Sequence, residues 1–403
     1  MKAKHITALL ILLLLLPLLA IAQADEAKDI TNACKITKDG KSYSSTKLRD
    51  RKYTTYCYLN RSHGLVIDGK GQELSGLYLQ YYDRATSVEI QVEGEAGWET
   101  IASGGTYLTE WFPLPEGTTK ARILHTDKNR LYLAELTVYG VGEKPASVPV
   151  WHTLEKADIL LLVGHPDDEL LWFGGLLPTY AGERGLDVQV VYAVRSTPRR
   201  RLELLDGLWT CGVTAYPDFL NMADKRASTL EKQYQLWSKN TLYTRVTEVL
   251  RRYQPEVAIT QDFSGEYGHG AHRAVADAMS KCVQYAADSE KYPASAEAYG
   301  TWQVKKLYVH LYKENQIQLD WHVPLSAFDG EDGMSVAKRA LACHKSQTAN
   351  GWEMEEGGKT DNTLFGLYFT TVGPDEAGND LMEHIGEATD TEEEAEEAPD
   401  EIG

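Results

Sequence analysis

The sequence predicts two folded regions, an all-β jelly-roll sandwich and then an α/β domain with a Rossmann-like, mostly parallel sheet and helices on both faces. Two observations predict it. As far as about Val141, apolar residues alternate in short runs separated by turn residues; beyond Ala157 they form continuous runs that alternate with helical stretches. A chain of 403 residues, 43% hydrophobic and 25% charged, is long enough to build both.

Residues 1–24 read as an export signal rather than as part of the fold. Lys2, Lys4 and His5 precede an apolar run from Ile6 to Leu19, broken by Pro17, and small residues around Ala22 offer a cleavage site. The run is shorter than the roughly 20 residues a spanning helix needs. The expected product is therefore exported (periplasmic, cell-surface or secreted) without stable membrane insertion, a retained anchor being the alternative.

Residues 30–142 carry the strand pattern, in runs such as SGLYLQYY, TSVEIQVEG, KARILHT and LYLAELTVYG, with glycine-rich breaks between them. Trp98 and Trp111 are candidates for stacking on sugar rings or for packing inside the sandwich. Cys34 and Cys57 are the one pair of the five cysteines expected to form a disulfide; Cys211, Cys282 and Cys343 read as buried thiols. Residues 143–156, within GEKPASVPVW and its sequel, read as a linker.

In residues 157–373, ADILLLVG, DVQVVYAV and PEVAITQD have the continuous apolar character of strands buried on both faces. Helices are expected over Glu169–Arg184, Arg199–Cys211, Thr229–Tyr253 and Gly270–Ala287. No glycine fingerprint follows any strand, so no nucleotide cofactor is expected. From Pro374 to Gly403 there are thirteen acids and no Lys or Arg, a composition expected to be disordered. That segment accounts for most of the net charge of −18, leaving −5 for the remainder, which gives no footprint for nucleic acid.

Two segments carry chemistry. His165-Pro166-Asp167-Asp168-Glu169 follows the first parallel strand, and Gly265-Glu266-Tyr267-Gly268-His269-Gly270-Ala271-His272 follows the third, so both open at the carboxyl edge where such sheets bind ligands. His165, Asp168 and His272 would give a metal three ligands and leave a position for water, the arrangement of a catalytic zinc; ferrous iron suits the same set. Asp167, adjacent but not a ligand, would take the proton of the attacking water. His269 or Tyr267 would stabilise the oxyanion, and His269 would also be placed to protonate the departing amine. Glu169 would support the turn from behind.

These two motifs resemble the hallmarks of the LmbE and PIG-L family of zinc-dependent de-N-acetylases, and the likeness runs from about Ala157 to Gly373. The resemblance implies metal ligation by His165, Asp168 and His272, a base role for Asp167 and an acid or oxyanion role for His269, with Tyr267 assisting. Arg200-Arg201-Leu202-Glu203 is similar to a helical Arg and Glu pair that helps form the family's substrate pocket; an exposed helix salt bridge is the other reading. Asp224 and Cys343–Gln347 also look like positions near the pocket. The family usually has Pro and Asp where this chain has Gly270 and Ala271. LRDRKYTTYCYL and LYLAELTVYG resemble the first and last segments of a discoidin-type, galactose-binding-like domain. Together they imply a hydrolase removing an N-acetyl group from an amino sugar such as N-acetylglucosamine in a glycan or glycoconjugate. The alternative is a carbohydrate-binding protein whose deacetylase domain is inactive. The oligomeric state is left open.

Overall fold

The computed structural model describes residues 25–43 and 45–386, so the expected export signal and residues 387–403 of the acidic segment lie outside the described residues. The N-terminal region contains ten strands: β1 (Lys35–Lys38), β2 (Lys41–Ser42), β3 (Cys57–Leu59), β4 (Gly64–Asp68), β5 (Gly76–Tyr81), β6 (Val88–Gly94), β7 (Gly97–Gly104), β8 (Thr109–Pro113), β9 (Lys120–His125) and β10 (Leu131–Tyr139). They form an antiparallel sheet in the order β2-β1-β4-β9-β6-β7 and a second in the order β3-β10-β5-β8. Alternation places Leu65, Ile67, Ile90, Ile123, Leu133 and Leu136 in the buried interior.

One expectation changes here. Cys34 and Cys57 are free, buried thiols, and they belong to segments that enter different sheets. Of the two roles considered for Trp111, packing is the one with contacts: half-buried, its ring lies on Gly76, where an added Cβ would come within 2.0 Å of it, and its edge meets Tyr139 at 5.4 Å. The segment read as a linker is also packed, with Val148, Trp151 and Leu154 buried. Trp151 donates to Thr109 Oγ1 at 2.7 Å and meets Trp209 edge-on at 5.6 Å, so this stretch wedges the two regions together.

The second region is built on one seven-stranded sheet, of β11 (Ile159–Val163), β12 (Val188–Val194), β13 (Asp218–Met222), β14 (Val257–Thr260), β15 (Lys306–His310), β16 (Gln316–Gln318) and β17 (Leu364–Thr370). Its order is β13-β12-β11-β14-β15-β17-β16; the first five are mutually parallel, β17 runs antiparallel to β15, and β16 pairs antiparallel with β17. Every residue of β11, β12, β14 and β15 is buried, as a sheet covered on both faces requires. The helices are α1 (Asp168–Leu171), α2 (Pro198–Thr210), α3 (Leu230–Leu236), α4 (Lys239–Tyr253), α5 (Gly270–Ala287), α6 (Pro293–Tyr299), α7 (Gly333–Leu341) and α8 (Lys345–Thr348). Helices α3, α4, α5 and α6 pack as one group, with α5 on β11, β14 and β15; α1, α2 and α7 form another. Among the described residues, no helix is long and apolar enough to cross a membrane.

Local chemistry explains where helix boundaries depart from expectation. The stretch expected as Glu169–Arg184 begins as α1 but breaks at Gly174, whose φ of +52° ends the helix, and resumes as a π-helical turn over Pro178–Glu183. Thr229–Tyr253 is two helices, because Trp237 turns extended and Ser238 then caps α4 by accepting from Thr241 N.

The acidic segment also starts later than its composition suggests. Residues 374–386 pack on the domain: Lys306 Nζ, fully buried, is bonded to the Asp375 carboxylate and donates to Glu383 O at 2.6 Å. Asp380 accepts from Arg184 at 2.7 Å, and Leu381 is buried beside it. A buried ammonium requires that carboxylate, and this pairing outweighs the local preference for solvent.

Trp151→Ala empties the wedge between the regions, and the expected loss is about 3–5 kcal/mol of unfolding free energy, measured by urea denaturation. A loss below about 1 kcal/mol, the size of a typical surface change, would show that the linker is not structural.

Candidate active site

The two chemical segments leave the sheet side by side. β11 and β14 are hydrogen-bonded neighbours, with Leu162 opposite Thr260, and successive strands run outward from them in opposite directions. This is the switch point at which open α/β sheets bind ligands. The two strand ends are also pinned together: Gly164 N donates to Gln261 Oε1 at 2.8 Å and Thr260 Oγ1 to Leu162 O at 3.0 Å.

The turn after β11 is strained. Asp167 has φ of 120°, a conformation that costs an L residue of order 1–3 kcal/mol. Its neighbours hold it there. Asp167 N donates to Glu169 Oε2 at 2.8 Å, and the opposite oxygen of the fully buried Glu169 lies 3.2 Å from His344 Nε2. Arg200, from α2, donates to Asp167 Oδ1 at 2.7 Å and to the Pro166 carbonyl. Burial pushes the Asp167 carboxyl up to about 7, against the pull of Arg200. Arg200 was expected to meet substrate; it lines the cavity, but its Nη2 is committed to positioning Asp167.

Asp168 is turned the other way. Its Oδ2 accepts from His165 N at 2.7 Å and lies 3.3 Å from both His165 Nδ1 and His272 Nε2, while Oδ1 accepts from Trp172 Nε1 at 2.8 Å. Burial alone would raise this carboxyl, but His272 and the bond from His165 outweigh it and hold it well below the usual range. On the far side of His272, Nδ1 donates to Glu266 Oε2 at 2.6 Å. Glu266 Oε1 lies 3.1 Å from His310 Nδ1, and His310 Nε2 is 3.0 Å from Asp361 O. The bond to Glu266 fixes the His272 tautomer and turns Nε2 toward Asp168. Burial lowers His272, yet the two carboxylates raise it to about 10, so the space between them attracts positive charge.

The donors there fit a metal ion. One nitrogen each from His165, His269 and His272 lie within 4.8 Å of one another, and Asp168 adjoins two of these rings. His272 Nε2 is buried without an aligned hydrogen bond, as a ligand atom would be. Imidazole and carboxylate donors suit zinc or ferrous iron alike.

His269 caps α5, its Nδ1 accepting from Ala271 N at 3.2 Å. Burial, followed by the neighbouring His272 and His165, lowers it to about 3, so the ring is neutral with its proton on Nε2. It is thus a hydrogen-bond donor rather than an imidazolium acid.

His165, Asp167, Asp168, Arg200 and His269 line a cavity of about 200 Å³ with Trp172, Asp224, Arg226, Tyr267, Gln347 and Trp352, and His272 is fully buried beside Asp168. Asp224, 53% exposed, lies 4.0 Å from His165 Nε2. Tyr267 is 41% exposed, and its ring sits 5.1 Å from Trp352, 5.7 Å from Trp172 and 5.8 Å from the Arg226 guanidinium. Sequence reasoning missed Glu266 as the partner of His272, and also His310, Arg226, Trp172 and Trp352. Glu266 alone had a signal, as a carboxylate in a glycine-flanked turn ahead of two histidines.

Residues 160–283 match the model of the PIG-L family, described as GlcNAc-PI de-N-acetylase. A 1D-myo-inositol 2-acetamido-2-deoxy-alpha-D-glucopyranoside deacetylase from Rhodococcus jostii is 27% identical over 184 residues, 38% of this chain and 61% of that protein. The protein of the same description from Rhodococcus opacus is 24% identical over 249 residues, 54% of this chain and 76% of its own. Among solved structures, the N,N'-diacetylchitobiose deacetylase of Pyrococcus horikoshii is 17% identical, covers 47% of this chain and 71% of its own, and has a TM-score of 0.37. The chain thus spans about six-tenths of the length of the first of these curated relatives. The stretch matched by the family model, 160–283, contains both chemical motifs, His165–Glu169 and Gly265–His272.

Proposed function

We propose that the α/β domain is a metal-dependent hydrolase that removes the N-acetyl group from an amino sugar of N-acetylglucosamine type, within a glycan or glycoconjugate. One observation carries this reading: a strained carboxylate, a neutral imidazole donor, and His165 and Asp168, backed by the buried His272, meet at one cavity. The relatives' descriptions name deacetylases of acetamido sugars, which supplies the substrate class.

His165, Asp168 and His272 would hold the metal, zinc by preference. Bound there, it would supply Lewis acidity toward both the water and the amide carbonyl. Asp167 takes the proton of the attacking water at the carboxylate oxygen that Arg200 leaves free. A carboxyl held near 7 can accept that proton and return it to the departing amine nitrogen, so the products are acetate and a free amine. With Nδ1 accepting from Ala271 N, His269 Nε2–H would donate to the oxygen on which charge develops, a role that needs a donor and no net charge. Tyr267, Trp172 and Trp352 give the sugar ring an aromatic wall. Asp224 and Arg226 offer partners to its hydroxyls. The leader pattern in residues 1–24 supports placing this enzyme outside the cytoplasm.

Acetate release from a panel of N-acetylated glycans tests this reading. Asp167→Asn is expected to retain metal and to lose about 10²–10⁴-fold in kcat, the usual contribution of a general base; unchanged turnover would remove Asp167 from the mechanism. Treatment with a chelator should abolish acetate release and added zinc should restore it, whereas activity that survives metal removal would sink the metal-dependent reading. Glu266→Gln keeps the shape behind His272 and removes the charge, so zinc affinity measured by chelator competition should fall about 10–100-fold. An unchanged affinity would show that His272 is not a ligand.

A further inference from the structure

Beside the catalytic cavity, a second cavity runs across the junction of the two regions and a third lies within the β-region, and Thr54 lines both. The nearer, of about 430 Å³, is lined by Arg51, Lys52, Arg199, Arg339 and Lys345, with Glu203 and Asp206 as its acids. It adjoins the catalytic cavity through sequence neighbours, since Arg200 and Gln347 line the one and Arg199 and Lys345 the other. The farther, of about 750 Å³, is lined by Lys38, Lys47 and Arg130 among four tyrosines, and by no acid.

The acids here are already engaged. Glu203 is taken by Arg199 Nε at 2.8 Å and by Ser346 N at 3.1 Å, and Asp206 accepts from Tyr53 at 2.6 Å. The nearby Asp50 and Glu135 each accept from Lys52 N at 3.0 Å. Lys47, Lys52 and Lys345 are exposed and form no ion pair among the described residues. Lys38 and Arg130 bond instead to Tyr58 O and Asn60 Oδ1, and they lie 4.5 and 5.4 Å from the Tyr58 ring, which is 47% exposed. Eight cations therefore line one track in a chain whose net charge is −18; Arg199 pairs with Glu203, Arg51 with Asp29 at 3.8 Å and Arg339 with Glu331 at 2.6 Å, while Lys38, Lys47, Lys52, Lys345 and Arg130 form no ion pair among the described residues. Unpaired cations along one surface repel one another, and a bound polyanion reduces that cost. The exposed Tyr58 and the half-buried Tyr43, Tyr56 and Tyr132 interleaved with them suit pyranose rings.

We propose that this track is an extended subsite for an anionic glycan, whose carboxylate or sulfate groups pair with Lys47, Lys52, Lys345 and Arg130 while one acetamido sugar occupies the catalytic cavity. What happens to that sugar rests on the hydrolase reading; the binding does not. The β-region thereby acts as a substrate-selecting surface, favouring charged polymers over neutral chitin-like chains.

The test is calorimetric titration of the full chain with three hexasaccharides: neutral chitohexaose, hyaluronan with carboxylates only, and chondroitin 6-sulfate with both groups. The charged chains are expected to bind at least about tenfold more tightly, with affinity falling as salt rises. The difference between the two charged chains identifies the preferred group. Lys47→Gln/Lys52→Gln/Lys345→Gln, all exposed positions, should reduce that preference to about threefold or less, since each exposed pair contributes only modestly. It should leave acetate release from N,N'-diacetylchitobiose, which reaches only the catalytic cavity, unchanged. Equal affinity for neutral and charged chains, no effect of the triple substitution, or tighter binding of a single-stranded polynucleotide would each overturn the proposal. Charge-selective binding that the triple substitution abolishes, with no acetate released from any substrate, would support the track and remove the hydrolase reading instead.

Discussion

Two buried carboxylates, Asp168 and Glu266, are the constraint on which the site depends. A buried carboxylate without a positive partner costs several kcal/mol. Each of these faces His272 from one side, and Asp168 also takes the His165 amide while Glu266 also takes His310. The result is a line of alternating carboxylates and imidazoles running from the end of β11 through the first turn of α5 to the end of β15. Moving any one member leaves the next without its partner. This explains how loops from two strands keep one geometry without a disulfide between them: the pairing holds them, and the adjacency of β11 and β14 brings them within reach.

Helix α2 links the two regions to this line. One side of it meets the β-region: Arg201 Nη2 bonds Asp83 Oδ1 at 2.6 Å and Asp206 accepts from Tyr53. The residue before Arg201 holds Asp167. Thr197 begins α2 by capping Arg200 N, so the first turn that carries Arg200 is fixed at its start as well as along its flank. The β-region is thus a brace for the helix that sets the carboxylate of Asp167, and its packing and the chemistry of the catalytic cavity are mechanically connected.

Much of this was legible in the sequence because it is written in local patterns. Continuous apolar runs gave β11, β12 and β14, and polar residues immediately after them placed His165–Glu169 and Glu266–His272 at the carboxyl edge. What was not legible depends on contacts between distant segments. Trp352 and Arg226 reach the cavity from loops with no periodicity. His310 ends β15 like any buried strand residue, and only the fold brings it to Glu266. The segment 374–386 looked like solvated acid because composition counts charges without seeing Lys306, the buried ammonium that Asp375 meets. Arg200 was placed near the substrate by the family resemblance of its segment, and the structure gives its guanidinium a partner, Asp167, that sequence could not name.

The strain at Asp167 follows from the same logic. A carboxylate that must accept a proton cannot also be held by the imidazoles that Asp168 needs, so two adjacent acids have to point in opposite directions. An ordinary helical start would turn their side chains by about 100°, whereas φ of 120° at Asp167 swings its carboxylate to Arg200 and leaves Asp168 facing His272. The backbone cost is of order 1–3 kcal/mol, and the Glu169 and Arg200 bonds, both charge-assisted and buried, are of comparable size. Glu169 is therefore as necessary to the turn as the acids it follows: it accepts the Asp167 amide, His344 backs it, and without that anchor the turn would relax toward a normal helix start and take the carboxylate out of the cavity.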